Sequence, residues 1–72
     1  MQEINTMSLA EDLSEKYRHS LEREMIARHR LQNLGLENTS QRREYISVIN
    51  TEQTIKTEIE KVAISLNLIL NI

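Results

Sequence analysis

The stretch Tyr45 to Ile72, YISVINTEQTIKTEIEKVAISLNLILNI, decides the fold. Stepping alternately by three and four residues from Tyr45 gives Val48, Glu52, Ile55, Ile59, Val62, Leu66 and Ile69, and only Glu52 among these steps is charged. An apolar stripe at this spacing is one side of a helix that needs a facing helix. Beyond Val62 the apolar residues leave the line. Ala63, Ile64, Leu68, Leu70 and Ile72 surround the predicted helix, and a helix end that is apolar all round calls for more cover than one neighbour supplies.

The facing helix lies upstream. Ser8, Leu9, Ala10 and Glu11 form an S-x-x-E capping box, which predicts a helix from Leu9, with Glu11 and Asp12 suited to its positive end. No breaker intervenes before Leu34, and Gly35 fits the left-handed residue of a Schellman ending, with Leu36 folded back onto Leu31. Asn38 with Gln41, or Ser40 alone, signals the second start. The inner stripe of helix one runs Ala10, Leu13, Tyr17, Ser20, Glu24, Ala27, Leu31, Leu34, apolar at both ends and small or charged in the middle. The expectation is an all-α chain: a loose arm over residues 1–7, helix one over about 9–34, a turn over about 35–39 and helix two over about 40–70. Together the helices make a coiled-coil-like antiparallel hairpin, completed by a partner or by dimerisation. Its predicted seam is Leu13, Tyr17, Leu31, Tyr45, Val48, Ile55, Ile59 and Val62, with Leu31 near Tyr45, Tyr17 near Ile59 and Leu13 near Val62. Glu24 and Glu52 then share a layer. They are expected as exposed carboxylates reaching water, since facing charges repel unless solvated or paired with neighbours such as Arg28, Arg23 or Lys56; a shared proton-linked switch is the other reading.

Composition narrows the class. Seventy-two residues with one Gly, no Pro, no Cys and only two aromatics favour helices over sheet and leave no disulfide to stabilise a small core. Extra stability is expected from association. A net charge of −2, with nine basic and eleven acidic residues mixed along the chain, gives no field that would recruit nucleic acid or anionic membrane. No Sec-type leader is written in Met1 to Thr6, and the apolar C-terminal run is shorter than the ~20 residues of a membrane span.

No catalytic constellation is expected. Ser and Lys occur without a strained Gly-flanked turn, and a single Gly leaves no phosphate-binding loop. No cofactor is implied. His19 has Glu15 and Glu22 at helical spacing, a generic surface pattern rather than a metal site, and His29 sits between Arg28 and Arg30 on a solvated basic face. Arg28, His29, Arg30, Arg42 and Arg43 meet near the turn, where a phosphate-binding patch would need such density, but Glu22, Glu24, Glu37 and Glu44 dilute it. What survives is the aliphatic C-terminal face: Ile64, Leu66, Leu68, Ile69 and Ile72 are the predicted partner-binding residues, either docking on a helical partner or closing a homodimer core.

This layout resembles the two-helix co-chaperones of type III secretion needle subunits, the YscE/SsaE/EscE-like family. The resemblance rests on a charged first helix with Leu9, Leu13 and Leu21, the segment Ile26 to Leu31 closing it, and the run Gln41, Arg42, Arg43, Glu44, Tyr45. It continues through a last helix ending in aliphatics after Glu60, Ala63, Ile64 and Leu66. It implies a cytoplasmic bacterial protein that stabilises a tetratricopeptide-like chaperone and, through it, holds the needle subunit monomeric before export. It also implies that Ile59, Val62, Leu66, Ile69 and Leu70 form the seam and its edge, with Ile64, Leu68 and Ile72 covered by the larger chaperone. The alternatives are a homodimeric nucleic-acid-binding or regulatory protein using the basic turn, and a phage- or plasmid-encoded inhibitor docking on a host protein.

Overall fold

The computed structural model describes residues 6–72, with side chains from Ser8 onward. Two 27-residue helices, α1 (Thr6–Gln32) and α2 (Thr39–Ser65), pack against each other as an antiparallel hairpin. The first five residues of the expected arm lie outside the described residues. Thr6 and Met7 are helical, so α1 starts ahead of Ser8 and the capping box there falls inside the first turn. Neither Gly nor Pro stands between Thr6 and Ser8 to stop the helix extending back.

The turn is built differently from the Schellman ending expected at Gly35. The Asn33 N–H reaches both the His29 and Arg30 carbonyls, and the Leu34 N–H reaches Leu31 O at 3.3 Å, a tightened last turn that ends α1 at Gln32. The Asn33 side-chain amide also donates to His29 O at 3.1 Å. Gly35 has no positive φ, and Leu36 is exposed instead of folding back onto Leu31. Asn38 is the N-cap of α2, as expected, but its side chain makes no capping bond.

The left-handed residue sits at the other end of the hairpin. Asn67 has φ 55°, its N–H bonds to Ile64 O at 3.1 Å, and the Leu68 N–H bonds to Ala63 O at 2.8 Å. These two bonds are a Schellman motif with Asn67 at C′. Helix two therefore stops at Ser65 rather than continuing to about residue 70. The tail after it turns back onto α1: the Asn71 N–H donates to Ser14 Oγ at 2.8 Å, and Arg18 Nη1 donates to Asn71 O at 2.8 Å.

The core is small and half polar. Ala27, Ile49, Ile59 and Ala63 are its buried apolar residues, alongside buried Ser14, Ser20, Glu24 and Glu52. Only two of these eight carry a large aliphatic group, each contributing roughly 1.5–3 kcal/mol by burial. The small residues let the helices approach closely.

On α2 the buried line is Ile49, Glu52, Ile59 and Ala63, with half-buried Tyr45 one turn ahead of it and half-buried Lys56 within it. This is a three-four stripe rotated from the predicted one. Tyr45, Glu52 and Ile59 stay in it, but Val48 and Val62 are exposed on its flank and Ile55 is only half-buried. Leu13, Tyr17 and Leu31 of α1 are half-buried along the seam as expected. The rotation has an electrostatic consequence. It brings Lys56 onto Glu24, where a stripe centred on Ile55 would leave that carboxylate without its ammonium.

Asn67 carries a conformation that costs a β-branched residue about 1–2 kcal/mol. Asn67→Val is expected to lower unfolding free energy by that amount and Asn67→Gly to leave it unchanged or slightly higher, as measured by urea denaturation followed by circular dichroism. Equal stability of the two variants would mean that the Schellman turn does not anchor the tail.

Candidate functional site

The seam is organised by two carboxylates. Glu52 is 6% exposed; Arg23 grips it with Nε 2.8 Å from Oε2 and Nη2 3.0 Å from Oε1. Ser20 Oγ lies 2.9 Å from Glu52 Oε1 and 3.0 Å from Glu52 O, so its single proton serves one or the other. Glu24, also 6% exposed, has Arg28 Nε 2.8 Å from Oε2 and Lys56 Nζ 2.6 Å from Oε1, an oxygen with no other partner. Both glutamates thus lie buried and paired rather than exposed to water, and the cations are the three neighbours named from the sequence.

These contacts set the titration. Hydrogen bonds from Lys56 and Arg28 hold the Glu24 carboxyl below its ordinary 4.5, overriding the opposing effect of burial. Arg23, then Ser20, does the same for Glu52, against burial and the nearby Glu24 charge. Each carboxylate has its own cations, so the pair does not share a proton. Outside the seam, the Tyr17 hydroxyl donates to Glu60 Oε1 at 3.0 Å, which raises the phenol's pKa, and Lys56 Nζ lies 5.9 Å from the Tyr17 ring centroid.

The predicted partner-binding residues divide. Ile64, Leu66, Ile69 and Ile72 are exposed, Ile69 at 90%, whereas Leu68 is half-buried as the C″ residue of the Schellman turn. Leu70 is half-buried too. Ile69 and Leu70 do not extend the helical seam, because the helix has ended by then; they belong to the folded-back tail. Ile69 and Asn71 border an open groove of about 240 Å³ with Ala10, Glu11 and Ser14. The helical pattern of Ile64 to Ile72 hid this arrangement. The one available signal was Asn67, a residue that tolerates the left-handed region.

The basic turn is thinner than its sequence suggests, since Arg28 is committed to Glu24 and Arg42 is half-buried. His19 and Glu15 stand 4.0 Å apart on the surface, and among the described residues no group of three or more His, Asp or Glu side chains could hold a metal. No described helix is long and apolar enough to cross a membrane. No family model matches the chain, and neither the curated proteins nor the solved structures contain a match to it.

Two outcomes test the seam. Lys56→Met strands a buried carboxylate oxygen and is expected to cost about 1–3 kcal/mol in urea unfolding, with Glu24→Leu/Lys56→Met recovering most of it, because removing both partners leaves no unpaired charge. If the double variant were less stable than the single, the ion pair would not be the reason Lys56 occupies the seam. For pH, the depressed carboxyls bind protons more weakly folded than unfolded. Their stabilisation is complete above the ordinary value of 4.5 and is lost as pH falls through the lower folded values. Thermal melts should show a plateau down to about pH 5 and a steady fall in Tm below it, with the fall reduced in Glu24→Gln/Glu52→Gln.

Proposed function

We propose that this chain is a small non-enzymatic co-chaperone of the type III secretion kind, working in the bacterial cytoplasm. In this reading it binds a tetratricopeptide-like chaperone and, through it, keeps a needle subunit monomeric before export. The observation that carries the reading is the exposed aliphatic set at the end of α2 and on the tail that folds back from it: Ile64 and Leu66, then Ile69 and Ile72 on a tail held through Asn71. Aliphatic side chains fixed in position without cover lose little entropy when a partner covers them. A groove between stacked helices, as helical-repeat proteins present, supplies such cover. The resemblance of the sequence to YscE-like co-chaperones points to the same kind of partner.

The mechanism is mass action. Binding buries aliphatic surface on both proteins and stabilises the larger chaperone by its own free energy of association, which maintains the pool of needle subunit held as monomer. No bond is made or broken.

Ile69 gives a cleaner test than Leu68, whose burial in the Schellman turn ties it to folding. Co-expressed with any helical-repeat protein encoded in its gene neighbourhood, the chain is expected to purify as a 1:1 complex with it. Ile69→Asp should weaken that complex at least about tenfold by placing a charge in an apolar contact, while leaving the hairpin's circular dichroism and melting unchanged. Undiminished co-purification of Ile69→Asp, or a wild-type chain that ignores such a neighbour, would refute the reading.

A further inference from the structure

The rotation of α2 leaves a second apolar surface along the length of the hairpin, distinct from the tail. Val48, Ile55 and Val62 recur every seven residues on one flank of α2; Val48 is 40% and Val62 41% exposed. Across the groove, Lys16, Arg23 and Arg30 recur every seven residues on α1. At the turn end the two rows line a cavity of about 220 Å³, with Ile26, Ala27, Tyr45 and Val48 forming its apolar lining beside Arg23 and Arg30. Arg23 also bonds Glu52, so the antiparallel register sets Arg30 level with Tyr45, Arg23 with Glu52 and Lys16 with Ile59, each within a turn of Val48, Ile55 and Val62 respectively.

The complement to this surface is written in the chain itself. Glu44 and Glu58 lie one helical turn before Val48 and Val62, on the same flank, because residues four apart share a helix face. Both are exposed. Among the described residues Glu44, Lys16 and Arg30 have no ion-pair partner, and Glu58 has only a 3.9 Å approach to Lys61.

We propose that a second copy of this chain covers this flank, making a two-fold four-helix bundle in which every neighbouring pair of helices is antiparallel. A two-fold axis parallel to the helices lays α1 of one copy over α2 of the other in the register the hairpin already uses. Arg30 then meets Glu44 of the second copy, Lys16 meets Glu58 of the second copy, and Ile26 lies over Val48 of the second copy. The other two-fold in the plane of this face, perpendicular to the helices, sets the basic row against itself and is opposed by repulsion. The favoured arrangement brings both turns to one end and both tails to the other. It therefore displays two copies of the tail aliphatics side by side. This dimer does not depend on the co-chaperone reading.

The test uses the purified full-length chain and two surface variants, Arg30→Glu and Glu44→Arg, each checked for unchanged helicity. Sedimentation analysis from about 1 to 200 µM should show a species of twice the 8.5 kDa chain mass. Each variant alone places like charges against each other at two symmetric sites and is expected to raise the dimer Kd about fivefold or more. Mixed together, the two variants should form a heterodimer tighter than either homodimer, since the mixture restores an opposite-charge pair at both sites. Rescue by mixing reports a contact between chains, which a change within one hairpin cannot produce. A monomer throughout the range, a dimer indifferent to both variants, or a mixture no tighter than its components would each overturn the proposal. So would a monomer that instead binds an added acidic amphipathic peptide at this groove.

Discussion

The hairpin closes around two glutamates, and their neutralisation constrains everything else about how the helices meet. Removing a carboxylate from water costs several kcal/mol unless cations and hydrogen bonds replace the lost solvation. Glu52 receives Arg23 and Ser20, and Glu24 receives Arg28 and Lys56. Only Arg28 is placed by helix spacing alone, four residues from Glu24 on the same helix; Ser20, Arg23 and Lys56 all reach across the seam. Lys56 reaches Glu24 only if α2 turns it toward the seam. That single contact is favoured by a rotation that carries Ile49 and Ala63 inward and leaves Val48 and Val62 outside. The small residues Ser20, Ala27 and Ala63 make the rotation workable, because a bulkier seam would hold the helices too far apart for these ion pairs.

Much of this was legible in the sequence. The three-four periodicity on both sides of Gly35 and Asn38 gave two helices, their order, their antiparallel register and the shared layer of Glu24 and Glu52. The charged and small middle of α1 was visible as Ser20, Glu24 and Ala27. The rotation of α2 was hidden, because a count of apolar residues ranks Ile55 above Lys56 for the seam. A lysine whose stem is apolar and whose ammonium finds a buried carboxylate is a seam residue by energy and an outsider by hydropathy. The same limitation put the glutamates in solvent.

The helix ends were misplaced for a different reason. Gly35 is the residue type most often found in the left-handed position after a helix, and Asn67 is the less common choice. Whether such a residue is used depends on where the preceding helix stops. In α1 the bonds made by Asn33 end the helix early and leave Gly35 an ordinary turn residue. In α2 nothing intervenes before Asn67, and the tail gains a place to dock through Ser14 and Arg18, in the first half of α1. That docking partner lies far away in sequence, where local pattern carries no information about it.

The apolar surplus seen at the C-terminal end is thus two surfaces with different chemistry. The flank of Val48, Ile55 and Val62 is long, regular and bordered by charges at the same seven-residue spacing, a design that selects both a helical partner and its register. The tail of Ile69 and Ile72 is short, irregular and without such charges, so it can select shape and apolarity but not register. A surface of the first kind suits a copy of the same chain, whose spacing is identical by construction. A surface of the second kind suits a different protein with a pocket. Leu66, at the end of the flank and the start of the tail, belongs to both, and any coupling between the two associations would pass through it.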